Sequence, residues 1–144
     1  MNRAFLLLAC LSLLSAPPAF AQSGANVLLV VNETSADSGR IASHYARVRG
    51  VPPDQLLRIK VDLADEIERT VFDAQVQAPI ATWLRQHAAQ DRILYIVLTK
   101  GIPLRVKGSS GRGGTGASVD SELTLLYRRL VGNNPPVAGL LDNP

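Results

Sequence analysis

Cysteine is almost missing: the chain has one in 144 residues, Cys10, inside an N-terminal stretch that reads as a leader. With the leader removed at Ala21, the mature chain has none. That excludes an internal disulfide, a cysteine nucleophile and a thiolate metal site within these residues. Histidine is nearly as scarce, with only His44 and His87. Neither has a second histidine or a carboxylate at ligand spacing, so no metal is expected and both read as packing or surface residues. Aromatics make up 5% of the chain against 47% hydrophobic residues, so the core must be aliphatic. An apolar run of about 20 residues, the length a membrane span needs, is also lacking. Basic residues are in slight excess, with a formal net charge of +3, or +2 without Arg3, but they are scattered from Arg40 to Arg129. No basic run interleaves with aromatics, so no nucleic-acid partner is expected.

The leader itself is informative. Arg3 supplies a positive start, Ala4 to Leu14 an apolar run, and Ala19-Phe20-Ala21 a small-x-small cleavage site before Gln22. Leu7-Leu8-Ala9-Cys10 has the form of a lipoprotein box, but a cut there leaves too short a leader to span anything. The expectation is a signal peptide over 1–21, export to the periplasm or beyond, and no stable membrane span after cleavage. Residues 22–144 are then a single domain, read as the N-terminal part of a longer one.

The mature chain alternates. Asn26 to Val31 is a continuous apolar run of the kind found in buried strands. Thr34-Ser35-Ala36-Asp37 opens a helix with a hydroxyl cap and an early acid, and Ile41, Tyr45 and Val48 stand at i, i+4, i+7 as its apolar stripe. Gly50 and Pro52-Pro53 stop it. Leu56 to Val61 reads as a second strand. A helical stretch from Thr70 to Ala89 carries Phe72, Val76, Ile80, Trp83 and Leu84 on one face, with a break at Pro79. Arg92 to Leu98 reads as a third strand. Beyond it, Gly101 to Lys107 is a short extended piece, Gly108 to Gly116 a loop, and Ala117 to Val131 a helix capped by Ser118. The order strand-helix-strand-helix-strand predicts a three-layer α/β fold, a Rossmann-like or caspase-like parallel sheet that is incomplete in this chain.

Open sheets of this kind bind ligands beyond their strand carboxyl ends. Asn32 and Glu33 follow the first strand, Asp62 the second, and Thr99 and Lys100 the third. Lys100 there could hold an anionic group, or pair with Glu33 or Asp37 along the same edge. Ser118, Asp120 and Glu122 follow the glycine loop; they are weaker candidates, since a cap and a helix-dipole complement explain them. Gly111-x-Gly113-x-x-Gly116 matches a dinucleotide fingerprint by letter only. It lacks the preceding strand and the acid about 20 residues on, so no cofactor is expected. The candidate ligand-binding set is therefore Asn32, Glu33, Lys100, Ser118, Asp120 and Glu122.

Four blocks carry a resemblance: residues 30–38 (Val-Val-Asn-Glu-Thr-Ser-Ala-Asp-Ser), 44–52 (His-Tyr-Ala-Arg-Val-Arg-Gly-Val-Pro), 95–105 (Tyr-Ile-Val-Leu-Thr-Lys-Gly-Ile-Pro-Leu-Arg) and 117–123 (Ala-Ser-Val-Asp-Ser-Glu-Leu). Together they resemble an exported bacterial family found in species with exosortase, the sorting machinery for PEP-CTERM proteins. The family has no assigned activity, so the resemblance implies a place and an association rather than a reaction. The element order is more distantly similar to the start of gingipain-type cysteine peptidases, which have a caspase-like fold. Such enzymes need a His and a Cys at loop ends, and the mature chain has no Cys. The expectation is an exported accessory or binding protein with a protein or glycan partner in the cell envelope. The alternative is the N-terminal portion of a caspase-like hydrolase whose catalytic residues are not in this chain.

Overall fold

The structure, a computed structural model, describes residues 23–108 and 116–132. The leader, Cys10 and the glycines at 111, 113 and 114 lie outside these residues. Three parallel strands form the main sheet in the order β2-β1-β4: β1 (Val27–Asn32), β2 (Leu56–Ile59) and β4 (Tyr95–Leu98). β1 pairs with both neighbours, Val30 lying between Leu57 and Leu98. All six of its residues are buried. That accounts for an uninterrupted apolar run rather than an alternating one, because a central parallel strand is covered on both faces.

Alternate β1 side chains serve different layers. Val27, Leu29 and Val31 pack with Ala42 and Val51 on the side of α1 (Ala36–Arg49). Leu28 and Val30 join the larger core with Phe72, Val76, Ile80, Trp83 and Leu84. Those come from a second helical arm: α2 (Arg69–Phe72), a π-helical turn (Asp73–Gln77) and α3 (Ala78–Gln86). Pro79 sits in the first turn of α3, directly after the π-helical turn, so the expected break shows as a change of helix type. The result is a three-layer mixed α/β fold, a partial Rossmann-like sheet with helices on both faces.

α1 begins where the sequence marks it, with Ser35 Oγ accepting from the Ser38 amide at 3.3 Å, and Gly50 ends it in the left-handed region at φ 64°. Its buried face differs from the predicted stripe. Ser38 and Ala42 are buried, whereas Ile41 is 41% exposed and Val48 64% exposed. Small residues at i and i+4 line the contact with the sheet; of the predicted stripe, Tyr45 packs half-buried against this core, while Ile41 and Val48 face solvent.

Of a second, smaller sheet the sequence showed only one strand, inside the extended piece over 101–107. β3 (Glu66–Ile67) runs parallel to β5 (Arg105–Lys107), which pairs antiparallel with β6 (Gly116–Ser118). The predicted helix over 117–131 is accordingly shorter and divided: β6 takes its first residues, then α4 (Val119–Thr124) and α5 (Leu126–Leu130) follow. Val119, Leu123 and Leu126 still point into the main core. Among the described residues, no helix is long and apolar enough to cross a membrane.

Candidate functional site

The sheet's two ends are each closed by one buried amide. At the amino end, Gln55, 2% exposed, donates from Nε2 to the Val27 carbonyl at 2.6 Å, and its Oε1 accepts from Arg92. At the carboxyl end, Asn32 is fully buried. Its Nδ2 donates to the carbonyls of Val61 at 2.8 Å and Gly101 at 2.6 Å. Its Oδ1 accepts from the Thr34 amide and hydroxyl and from the Val61 amide, at 3.1, 2.9 and 3.3 Å. Both donors and the acceptor are thus spent on the chain itself. Asn32, a candidate ligand-binding residue by sequence, here ties the loops after all three strands together.

A chain of hydroxyls lies beside it. The Asn32 amide donates to Ser38 Oγ at 2.8 Å, Ser38 bonds Thr99, and Thr99 Oγ1 donates to the Val30 carbonyl at 2.9 Å. The carbonyl can only accept, so the Thr99 proton is committed and Ser38 must donate to Thr99. Ser38 and Thr99 are both buried. They fix α1 against the end of β4 and so set where the residues around them stand.

Those residues border a cleft of about 600 Å³. One wall is the start of α1, with Ser35 and Asp37. The segment 98–104 after β4 forms the floor, and Leu63, Ala64, Asp65, Val119 and Asp120 complete the rim. Gly101 is held at φ 97°, and a Cβ there would lie 2.7 Å from that of Ser35, so this floor admits only glycine. The cleft lies beyond the carboxyl ends of β1 and β4. The crossover after β1 passes over one face of the sheet and that into β4 over the other, which makes this the topological switch point.

The charges divide clearly. Lys100 Nζ donates to Asp37 Oδ2 at 2.7 Å, and Arg40 reaches Oδ1 at 2.6 Å. The hydrogen bond and charge of Lys100, helped by the Arg40 charge, hold the Asp37 carboxyl below its ordinary value of 3.8. Of the two acids expected near Lys100, Asp37 is its partner. Glu33 instead faces Lys60 at 3.8 Å. Asp65 and Asp120 have no ion-pair partner among the described residues.

The remaining candidates separate. Ser118 caps α4, its Oγ accepting from the Ser121 amide at 3.0 Å and donating to Ser121 Oγ at 2.8 Å. Glu122 is 4% exposed and turns away from the cleft into a structural ion pair. Arg69 donates to it through both terminal nitrogens, at 2.8 and 2.7 Å, and Arg129 approaches to 3.7 Å. Arg69 also lies over the Phe72 ring. So Lys100 and Asp120 share the cleft, whereas Asn32, Glu33, Ser118 and Glu122 do not line it. Asp65 was missed: the acid named after the second strand was Asp62, which does not line the cleft, whereas Asp65 is placed by the small sheet, its carbonyl accepting from the Leu104 and Arg105 amides at 3.0 Å.

Both histidines are elsewhere. His44 faces Arg47 from the exposed side of α1. His87 stacks on Trp83, with ring centroids 4.2 Å apart, and its Nδ1 bonds the Trp83 carbonyl at 2.9 Å. Among the described residues, no three His, Cys, Asp or Glu side chains group as metal ligands. Compared with protein-family models, curated proteins and solved structures, the chain matches none.

Proposed function

We propose that this chain is an exported protein of the bacterial cell envelope that acts by binding, as an accessory of exosortase-type sorting, and that the cleft beyond β1 and β4 is its ligand site. The observation that carries the reading is the position of that cleft at the switch point of a parallel sheet, with Lys100, Asp37, Asp65 and Asp120 around it. Apolar walls from Leu63, Leu98, Ile102 and Leu104 supply contact area, and the charged rim supplies orientation. The leader supports export, and the blocks around Lys100 and Ser118 support the association with sorting. A photo-reactive residue placed in the cleft tests the binding role in cells. It traps a discrete envelope protein or glycan if the cleft is the ligand site, and nothing beyond background if it is not.

A further inference from the structure

The cut that removes the leader leaves a particular residue at the front of the mature chain. Cleavage after Ala21 makes Gln22 the first residue and frees its α-amine. Gln22 itself lies outside the described residues, which begin with Ser23. Ser23 is held from both sides. Its amide N–H donates to Asn26 Oδ1 at 3.2 Å, and its Oγ accepts from the Ala25 amide at 3.3 Å. The two bonds close a capping box on the turn Gly24–Asn26. That turn is tied to the amino end of the sheet. Gln55 Nε2 donates to the Gly24 carbonyl at 3.2 Å, and Asn26 Nδ2 donates to the Arg92 carbonyl at 3.0 Å. Gly24 lies so close to Gly50 that an added Cβ would come within 2.4 Å of its carbonyl oxygen. Gln22 is thus the one residue between the cut and the first fixed backbone donor.

A glutamine with a free α-amine carries a nucleophile and an electrophile in the same residue. Its amine nitrogen meets its own side-chain amide carbon by closing a five-membered ring, so no second molecule has to be brought up. An α-amine titrates close to neutrality, well below a lysine amine, so part of it is uncharged and nucleophilic in a neutral compartment.

We propose that Gln22 is a modification site and that the mature chain begins with pyroglutamate. The amine nitrogen bonds to the side-chain carbonyl carbon, and the bond from that carbon to the amide nitrogen breaks. Ammonia leaves with the proton that the amine gives up. No electrons are exchanged, so neither oxidant nor reductant is needed. The lactam keeps the peptide bond to Ser23, so Ser23 still donates to Asn26 and the capping box stands. What disappears is the terminal positive charge. With it goes the free amine that aminopeptidases grip, and the chain meets the cell envelope with a blocked end. The proposal rests on the export reading, because only leader removal frees this amine.

The test uses the protein exported by cells that make the full chain. Amines of the intact protein are first dimethylated with deuterated formaldehyde, which prevents any later ring closure at a free Gln22. Trypsin then releases residues 22–40, Arg40 being the first basic residue after the cut. Fragment spectra should place the loss of one ammonia on residue 22, without label, in most chains. That position separates lactam formation from succinimide formation at Asn26 or Asn32, which also loses ammonia. Gln22→Ala should keep the same cut and carry the label at its first residue. An unlabelled end in that variant would reveal a different block and overturn the proposal. A labelled Gln22 overturns it as well, and leaves the export reading standing. A chain in the envelope fraction that still begins at Met1 overturns both.

Discussion

Asn32 Nδ2 donates to the carbonyl of Gly101 at 2.6 Å, across 69 residues of sequence, and so joins the end of β1 to the floor of the cleft. The same amide holds Val61 by its carbonyl and its N–H. Removing it leaves the Gly101 carbonyl and the Val61 and Thr34 amides without this partner, while the Val61 carbonyl keeps the Thr34 hydroxyl at 2.8 Å. Asn32→Ala should therefore lower unfolding free energy by about 3 kcal/mol, the sum of a few unsatisfied groups. Urea unfolding measures this; a loss below about 1 kcal/mol would mean that the loops are held by other contacts.

Gly101 and Gly39 make an opposed pair. At Gly101 an added methyl meets Ser35 and the backbone φ is positive, so Gly101→Ala should cost about 2 kcal/mol through strain and displacement. Gly39 lies within α1 with nothing inside 4 Å of its would-be Cβ. Gly39→Ala should stabilise by about 0.5–1 kcal/mol through helix propensity alone. Thermal unfolding of the two variants side by side checks both signs.

The element order was legible because β1 is an unbroken aliphatic run, β2 and β4 are short and mostly apolar, and each main helix carries its own punctuation: Ser35 and Gly50 for α1, Pro79 for α3. What was not legible depends on distance or on small residues. The face of α1 was read correctly at Tyr45 but not at Ile41 and Val48, because Ser38 and Ala42, which are buried against the sheet, hardly register as hydrophobic. Most of the second sheet escaped because its strands have only two or three residues each. Glu122 looked like a surface acid since its partner Arg69 lies 53 residues away. Within the candidate site, Lys100 and its pairing with Asp37 could be read from strand ends, while the contribution of Asp65 depended on the second sheet.

The Glu122 carboxylate is 5% exposed in its side chain, against 19% for Arg69 and 17% for Arg129. Glu122→Ala removes the buried counter-charge of two mostly buried guanidinium groups, leaving Arg69 only the more exposed Asp73 at 3.8 Å, and should cost about 3 kcal/mol. Pairing Glu122→Leu with Arg69→Met should recover part of that loss, because one of the two charges goes with its partner and only Arg129 is left without Glu122. A denaturant series over the single and double variants decides this. A double variant as unstable as the sum of its parts would contradict the ion-pair account.

The pH response at the cleft follows from Asp37. Lys100 lowers the carboxyl's pKa in the folded state relative to the unfolded chain. The stabilisation is therefore present above the ordinary carboxylate pKa and fades as pH falls through the lower, folded value. Lys100→Met should raise the Asp37 pKa, read from its carboxyl carbon resonance. An unchanged Asp37 titration would show that Arg40 alone maintains the shift.

The central claim is that the cleft at the switch point is where this protein meets its ligand. Leu104 on the cleft rim and Val48 on the far part of α1 are equally open, at 66% and 64% exposure. Placing a photo-reactive residue at each, in the exported protein in living cells, separates site from surface. The account predicts a discrete crosslinked species from position 104 and none from position 48. The same pattern from both positions would contradict it.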